Sequence, residues 1–258
     1  LRVPRRELAT ALLRDEARVL PALQTHLLPM TIPQPRLVCE VTATSGASLP
    51  AVAYALVEGQ TLCRARPTDR ARVALAAPLG RFLRALHGLP ADVVRALAPP
   101  ADTLDRADLR SRVDVTRERL GRARAAGIVF DADHTALDAI AQAPPPRAPS
   151  AVDCVVHGDL YARHMIVDAD HALTGVIDWG DVHLGDRALD LAAAWLVLPA
   201  SAHAVFRAAY GSIDDVSWAR ARFRAVFSAA ATAVYGHDIG DDALVNESRG
   251  ALGRLAGS

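Results

Sequence analysis

Lysine is absent from this 258-residue chain, so all 29 of its Lys and Arg positions are arginine, matched by 29 Asp and Glu for a formal net charge of zero. The missing basic excess leaves nothing to hold a nucleic-acid backbone, which excludes general nucleic-acid binding. Cysteine is scarce as well. Cys39, Cys63 and Cys154 are odd in number and widely separated, which argues against a disulfide framework and offers no zinc-ligand spacing. They read as buried or partly buried free thiols in a reducing compartment. No apolar run approaches the roughly 18 residues needed to cross a bilayer. No secretory leader is evident, so the expected location is the cytoplasm with no membrane partner. The arginines of residues 110–124 recur at helical spacing with acids between them and read as a solvated helix face.

What is present is ample apolar content, 51% of residues, enough for one large domain or two modest ones. Residues 1–4 (LRVP) read as the tail of a strand stopped by Pro4. Periodicity predicts a helix over 7–25 with Leu8, Leu12, Leu13, Ala17, Leu20 and Leu23 on one face. Strand patterns at 36–42 and 51–57 flank the turn signal TSGAS and predict a hairpin closed by Gly59. From about residue 69 the pattern is helical. A stripe of Leu75, Leu79, Phe82, Leu83 and Leu86 ends at His87-Gly88, and further helices are predicted over 103–126 and 133–142. APPPRAPS, 143–150, reads as a stiff connector. Strands over 152–156, 165–168 and 173–178 precede a helix over 188–198, and two or three helices, split by GSIDD and YGHDIGDD, fill 202–256. The class is α+β, a small mixed segment before a larger helical one, with a ligand-sized cleft between them.

One stretch carries chemistry. HGDLYARHMIVD begins at residue 157, and DWGD follows at 178–181. Asp159 lies in a loop after a strand, His164 opens the next strand, and Asp178 closes the returning one. In a tight antiparallel hairpin the start of one strand lies about 5 Å from the end of the other. That places His164 beside Asp178, with Asp159 on the loop leading in. Charged groups gathered in an apolar setting are costly unless paired or bound to something.

HGDLYARHMIVD…GVIDWGDVHLGDRALDLA resembles the active-site signature of the aminoglycoside and macrolide phosphotransferases, whose catalytic domain is similar to that of protein kinases. The resemblance extends over most of the chain: LRVPRR and DEARVLPAL look like the later N-lobe, YALVEGQTL like the hinge, FLRALHGLP like the first C-lobe helix. It implies a protein-kinase-like two-lobe fold, with residues 1–59 as an N-lobe remnant, a hinge near 54–59, and residues 60–258 as the helical C-lobe. It also implies a strand–loop–strand over the phosphates before residue 1, so the N-lobe reads as truncated at its start, with those residues expected in the native protein. By resemblance Asp159 is the catalytic carboxylate that accepts from or orients the acceptor hydroxyl. Asp178 and His164 are the metal ligands, for Mg²⁺ or, given the imidazole, Mn²⁺. His164 stands where most members carry Asn, a feature similar to macrolide phosphotransferases. It implies a macrolide acceptor, GTP beside ATP as donor, and pH sensitivity, since a protonated imidazole cannot ligate. Arg2 is implied to hold nucleotide phosphates with Glu16 as its acidic partner. The carbonyl of Ala55 and the amide of Val57 are implied to meet the purine. His157 is expected to orient the loop, Trp179 to pack beside Asp178, and Asp186 and Asp190 to be a cap and a buried acceptor.

The expected activity is transfer of the γ-phosphate of ATP or GTP to a hydroxyl of an antibiotic-like acceptor. A non-catalytic kinase-like module that binds a nucleotide or partner is the alternative, and a metal-dependent phosphohydrolase is disfavoured. Acceptor candidates are mixed: Asp214, Asp215, Asp241, Asp242 and Glu247 are acidic, and Trp195, Trp218, Phe223, Phe227 and Tyr235 are aromatic.

Overall fold

A computed structural model describes every residue except 5–6, 28, 44–45 and 148–150. Backbone bonds from Arg2 to Val52 (2.8 Å) and back (3.0 Å) set the first residues beside a hairpin, as the strand reading of LRVP expects. That hairpin is β1 (Pro35–Thr42) and β2 (Ser48–Tyr54), antiparallel with Val38 opposite Val52. The second strand stops at Tyr54 and not near Gly59. Pro35, which has no N–H to give, stands opposite Tyr54, and the ladder ends there. Two residues of the connecting TSGAS, and the side chain of Leu8, lie outside the described residues.

Helix α1 (Glu7–Leu23) covers the hairpin with Leu13, Glu16, Val19, Leu20 and Leu23 buried. Four of these are the apolar face that 3.6-residue spacing demands; the fifth is a carboxylate. The chain then returns through Thr31, which exchanges backbone bonds with Thr174 and Val176, both 2.9 Å, and so ties this region to the following sheet.

That sheet has the order β3 (Gln60–Thr61), β5 (Met165–Val167), β6 (Leu173–Val176). A second pair, β4 (Cys154–Val156) with β7 (His183–Gly185), holds the ends of the loop that starts at His157. Strand β7 is not visible in the sequence pattern. Its three residues are too few to show alternation.

The rest is helical: α2 (Leu62–Ala65), α3 (Asp69–Arg72), α4 (Ala76–His87), α5 (Ala91–Leu97), α6 (Val113–Ala125), α7 (Asp131–Gln142), α8 (Ala188–Val197), α9 (His203–Tyr210), α10 (Asp215–Ile239) and α11 (Asp242–Ala256). The predicted stripe from Leu75 to Leu86 is buried throughout. Gly80 is required where α4 meets α9, because a Cβ there would sit 2.6 Å from the Phe206 carbonyl oxygen. The helix predicted over 103–126 begins only at Val113. Upstream, the Asp102 carboxylate accepts from the amides of Leu104 and Ala107, and Asp108 accepts from those of Arg110 and Ser111. These side chains compete with helical bonding and hold the segment as turns. The predicted break at YGHDIGDD falls at its Gly240-Asp241: α10 continues as far as Ile239, where Gly240 at φ +68° closes it.

Every residue of α8 is buried, Asp190 included, so it is the central rod of the helical part. Cys63 is buried and Cys154 half-buried, but Cys39 is exposed on β1, which corrects the expectation that all three thiols are covered. Among the described residues no helix is long and apolar enough to cross a membrane.

Candidate active site

The loop after β4 is shaped by residues that do not themselves face the cleft. Gly158 has φ +84°, and a Cβ there would lie 2.5 Å from the Asp181 carbonyl oxygen, so no other residue fits this turn. The amides of His157 (2.7 Å) and Gly158 (2.9 Å) both donate to the Asp190 carboxylate, which is fully buried. His87 of α4 bonds the same carboxylate through Nε2 at 3.2 Å and the Tyr210 hydroxyl through Nδ1 at 2.9 Å. Burial alone would raise the Asp190 carboxyl. The hydrogen bond and charge of His87, with the Gly158 amide, hold it below its usual value. Asp190 is thus the buried acceptor anticipated, and Asp186 accepts from the Ala188 amide (2.9 Å) as a cap while pairing with buried Arg220. His87 was missed. In sequence it only marks the end of a helix, and nothing local signals a partner 103 residues away.

His157 is itself buried. Its Nε2 bonds the Ile177 carbonyl (3.0 Å), and its Nδ1 accepts from the Asp159 amide (3.3 Å). Its ring lies 4.8 Å from that of Trp179, which is buried and donates from Nε1 to Val176. Burial pushes the His157 imidazole below its ordinary pKa, favouring the neutral ring that this bonding needs.

On this support stand two half-exposed carboxylates, Asp159 and Asp178, and the buried imidazole of His164. Nδ1 of His164 lies 2.8 Å from the Asp159 carbonyl oxygen and donates to it. The tautomer is therefore set, and the lone pair of Nε2 points away, 3.4 Å from Oδ2 of Asp178. The Asp159 carboxylate lies 3.7 Å from Nδ1. Asp178 adopts φ +62°, a left-handed backbone that costs a non-glycine residue about 1 kcal/mol or more. Arg2 completes the group. One guanidinium nitrogen takes both oxygens of Glu16 (3.0 and 2.8 Å), and the other reaches Asp178 at 3.1 Å. Glu16 is 1% exposed, and desolvation raises its pKa to about 7 against the opposing pull of Arg2.

The sequence-predicted residues Arg2, Glu16, Asp159, His164 and Asp178 thus meet in one place. Ala55 and Val57 lie apart from it, on the segment after β2. Ala55 is exposed, and neither residue's backbone has a hydrogen-bond partner among the described residues. Also among the described residues, no set of three or more His, Cys, Asp or Glu side chains is grouped as a self-sufficient metal cage. One carboxylate and one imidazole nitrogen could serve a divalent cation that tolerates nitrogen, as Mn²⁺ does better than Mg²⁺, with its remaining ligands drawn from water and substrate phosphates. The residues present fit such an ion.

A small mixed region and a helical one, with a rigid loop and a carboxylate-bearing hairpin at their junction, define the protein-kinase-like two-lobe α+β fold. The description "Phosphotransferase enzyme family" matches residues 1–226, and the chain belongs to that family. Among solved structures it is similar to the GDP complex of aminoglycoside 2'-phosphotransferase-IIIa, at 20% identity over 98% of this chain and 84% of that one, TM-score 0.63. It is also similar to macrolide 2'-phosphotransferase MphH from Brachybacterium faecium, at 24% identity over 97% and 83%, TM-score 0.58. A macrolide 2'-phosphotransferase type I aligns at 24% identity over 97% and 82%, TM-score 0.56. No curated protein matches the sequence.

Proposed function

We propose that the chain is a small-molecule O-kinase, transferring the γ-phosphate of ATP or GTP to a hydroxyl of its acceptor. The observation that carries this reading is the Asp159–His164–Asp178 grouping, with the His164 tautomer held by the Asp159 carbonyl and Arg2 bridging Glu16 to Asp178. Asp159 orients the hydroxyl and takes its proton as the oxygen bonds to phosphorus. The bond from phosphorus to the bridging oxygen of the β-phosphate breaks, and the nucleoside diphosphate leaves. Arg2, steadied by Glu16, holds phosphate oxygens in its fork. His164 Nε2 and Asp178 would hold Mg²⁺ or Mn²⁺, which when bound would offset the negative charge of the phosphates. We place the junction between the lobes at residues 54–59, where the carbonyl of Ala55 and the amide of Val57 meet the purine. A cytoplasmic site of action, where nucleoside triphosphates are held, suits this reading.

Of the two antibiotic classes, a macrolide acceptor is favoured over an aminoglycoside. Polycations need free carboxylates, and the acidic candidates are largely engaged. Asp214 and Asp241 cap α10 and α11. Glu247 is paired with the buried Arg72 at 2.6 Å. Macrolides, aminoglycosides and small hydroxylated metabolites should be screened with ATP and GTP, in Mg²⁺ and Mn²⁺, with product masses as readout. Asp159→Ala is expected to lose at least about 100-fold in transfer, the low end for a positioned acid–base group. Undiminished transfer in that variant would remove the role assigned to Asp159. Tight nucleotide binding without turnover on any acceptor would favour the non-catalytic module instead.

A further inference from the structure

The arginines from Arg112, just before α6, to Arg124 divide into two sets. Arg117, Arg122 and Arg124 are exposed and paired with Asp138 (2.7 Å), Asp238 (3.0 Å) and Asp131 (2.7 Å), as a solvated face should be. Arg112 and Arg119 are not. Both turn towards the ring of Phe227 on α10, at 5.9 and 5.1 Å from its centroid, and Arg224 approaches the same ring at 4.8 Å.

Three guanidinium groups therefore surround one phenyl ring. Arg224 is only 8% exposed and makes no hydrogen bond or ion pair among the described residues. Arg119 likewise has neither among them, and Arg112 donates only to the carbonyls of Leu104 and Asp105 and leaves its buried Nε unpartnered. Burial depresses the pKa of both Arg119 and Arg224, while the charges of Asp159 and Asp181 favour the charged form of Arg224. Asp181 is already bound by Arg106, which also holds Asp102. Stacking on an aromatic face returns about 0.5–2 kcal/mol per cation. Arg112 and Arg119 are half-exposed, so the cluster presents part of its charge to solvent, where an anionic ligand can reach it.

The cluster lies beside the loop of Asp159. Ser228, one turn beyond Arg224 on α10, lines a narrow cavity together with Tyr161 and Ala162 of that loop. That cavity has a volume of about 20 Å³, room for one water and not for an acceptor. The acceptor must therefore approach Asp159 from outside it.

We propose that Arg112, Arg119 and Arg224, gathered round Phe227 beside the Asp159 loop, bind an anionic group of the acceptor, a carboxylate or a phosphate ester, so that the enzyme phosphorylates a hydroxylated acid. The inference rests on the O-kinase reading and sets such acids ahead of both antibiotic classes. The chemistry of transfer is unchanged. The anionic group anchors the molecule while a separate hydroxyl faces Asp159.

The test pairs acceptors that differ in charge: gluconate with sorbitol, and glycerate and glycerol 3-phosphate with glycerol. Binding to the full chain is read by calorimetry, and transfer by product mass with nucleotide and metal. In the wild type the acids are expected to bind on the order of 10- to 100-fold tighter than their neutral twins, as charge-assisted bonds to arginine provide. In Arg224→Gln and in Arg112→Gln the advantage is expected to fall to about threefold or less on the same scale. The second variant, at a half-buried position, guards against a folding defect in the first. Preference for glycerate and gluconate assigns the carboxylate, and preference for glycerol 3-phosphate the phosphate ester. Acids and neutral twins that bind alike, or a preference that survives both substitutions, would overturn the proposal. Arginine-dependent acid binding with no turnover of ATP or GTP would uphold the anion site and remove the kinase reading. Transfer confined to neutral acceptors would do the reverse.

Discussion

Replacing Asp190 by Asn tests how the reactive loop is held. The change is nearly isosteric and touches no group proposed to contact substrate. In the native chain the carboxylate takes hydrogen bonds from the amides of His157 and Gly158 and from His87 Nε2. All of these reach a fully buried group. The amide side chain keeps one accepting oxygen and turns an NH₂ towards the remaining donors. At least one bond to a charged group is lost, at about 1.5–3 kcal/mol, and one buried donor is left facing another. The net cost works out at about 2–4 kcal/mol, which for a chain of this size is a fall in Tm of roughly 5–12 °C. The effect has a pH signature. The Asp190 carboxyl is held below its ordinary pKa, so its contribution is full above about pH 4 and fades as acid protonates it. Wild type and Asn variant should therefore converge in stability on acidification. Urea unfolding at pH 7 reads the loss of stability, and the same measurement at pH 3 reads the convergence. A variant within about 0.5 kcal/mol of wild type at pH 7, the scale of an ordinary surface substitution, would refute the reasoning.

Gly80→Ala should destabilise the chain by about 1–3 kcal/mol in urea unfolding, because its Cβ would press on backbone and not on a side chain that can move aside. Asp214 caps α10 through the Ser217 amide; desolvation pushes its carboxyl up, but the bonds from Ser217 and Arg187 together outweigh it and take the pKa to about 2. Stability from this cap is present above about pH 4 and lost as pH falls towards 2, so the deficit of Asp214→Ala, about 0.5–1 kcal/mol for a half-exposed cap, should vanish below pH 2 in acid titrations followed by circular dichroism. Cys39 is exposed, whereas burial raises the pKa of the Cys63 and Cys154 thiols. A maleimide at pH 7.5 should therefore add once to the folded chain and three times in urea, as mass spectrometry would count.

The elements that periodicity could see were those with a long apolar face. The stripe from Leu75 to Leu86 and the hairpin strands are of that kind, and their pattern reports burial directly. Where boundaries moved, a local competitor had won: the turn-forming carboxylates of Asp102 and Asp108 delayed α6, and Pro35 cut β2 short. Neither is invisible in sequence, but each needs its partner's position to decide the outcome. Strand β7 and the His87–Asp190 bond had no local signal, since both exist only through residues far away in the chain.

The grouping of Asp159, His164 and Asp178 was legible because hairpin geometry fixes which residues face one another over short separations. Arg2 and Glu16 were placed by resemblance, and their meeting depends on α1 lying across the hairpin. The arginines of α6 show the limit from the other side. Spacing along one helix cannot tell Arg117 from Arg119, two residues apart: one finds Asp138, the other the ring of Phe227. The difference is made by α10, which brings the ring of Phe227 and a third arginine to Arg119, while its carboxylate Asp238 pairs with Arg122. A face that sequence reads as uniformly solvated is therefore split by its neighbour into a neutralised half and a cationic half. The second half is the one on which the proposed anion site rests.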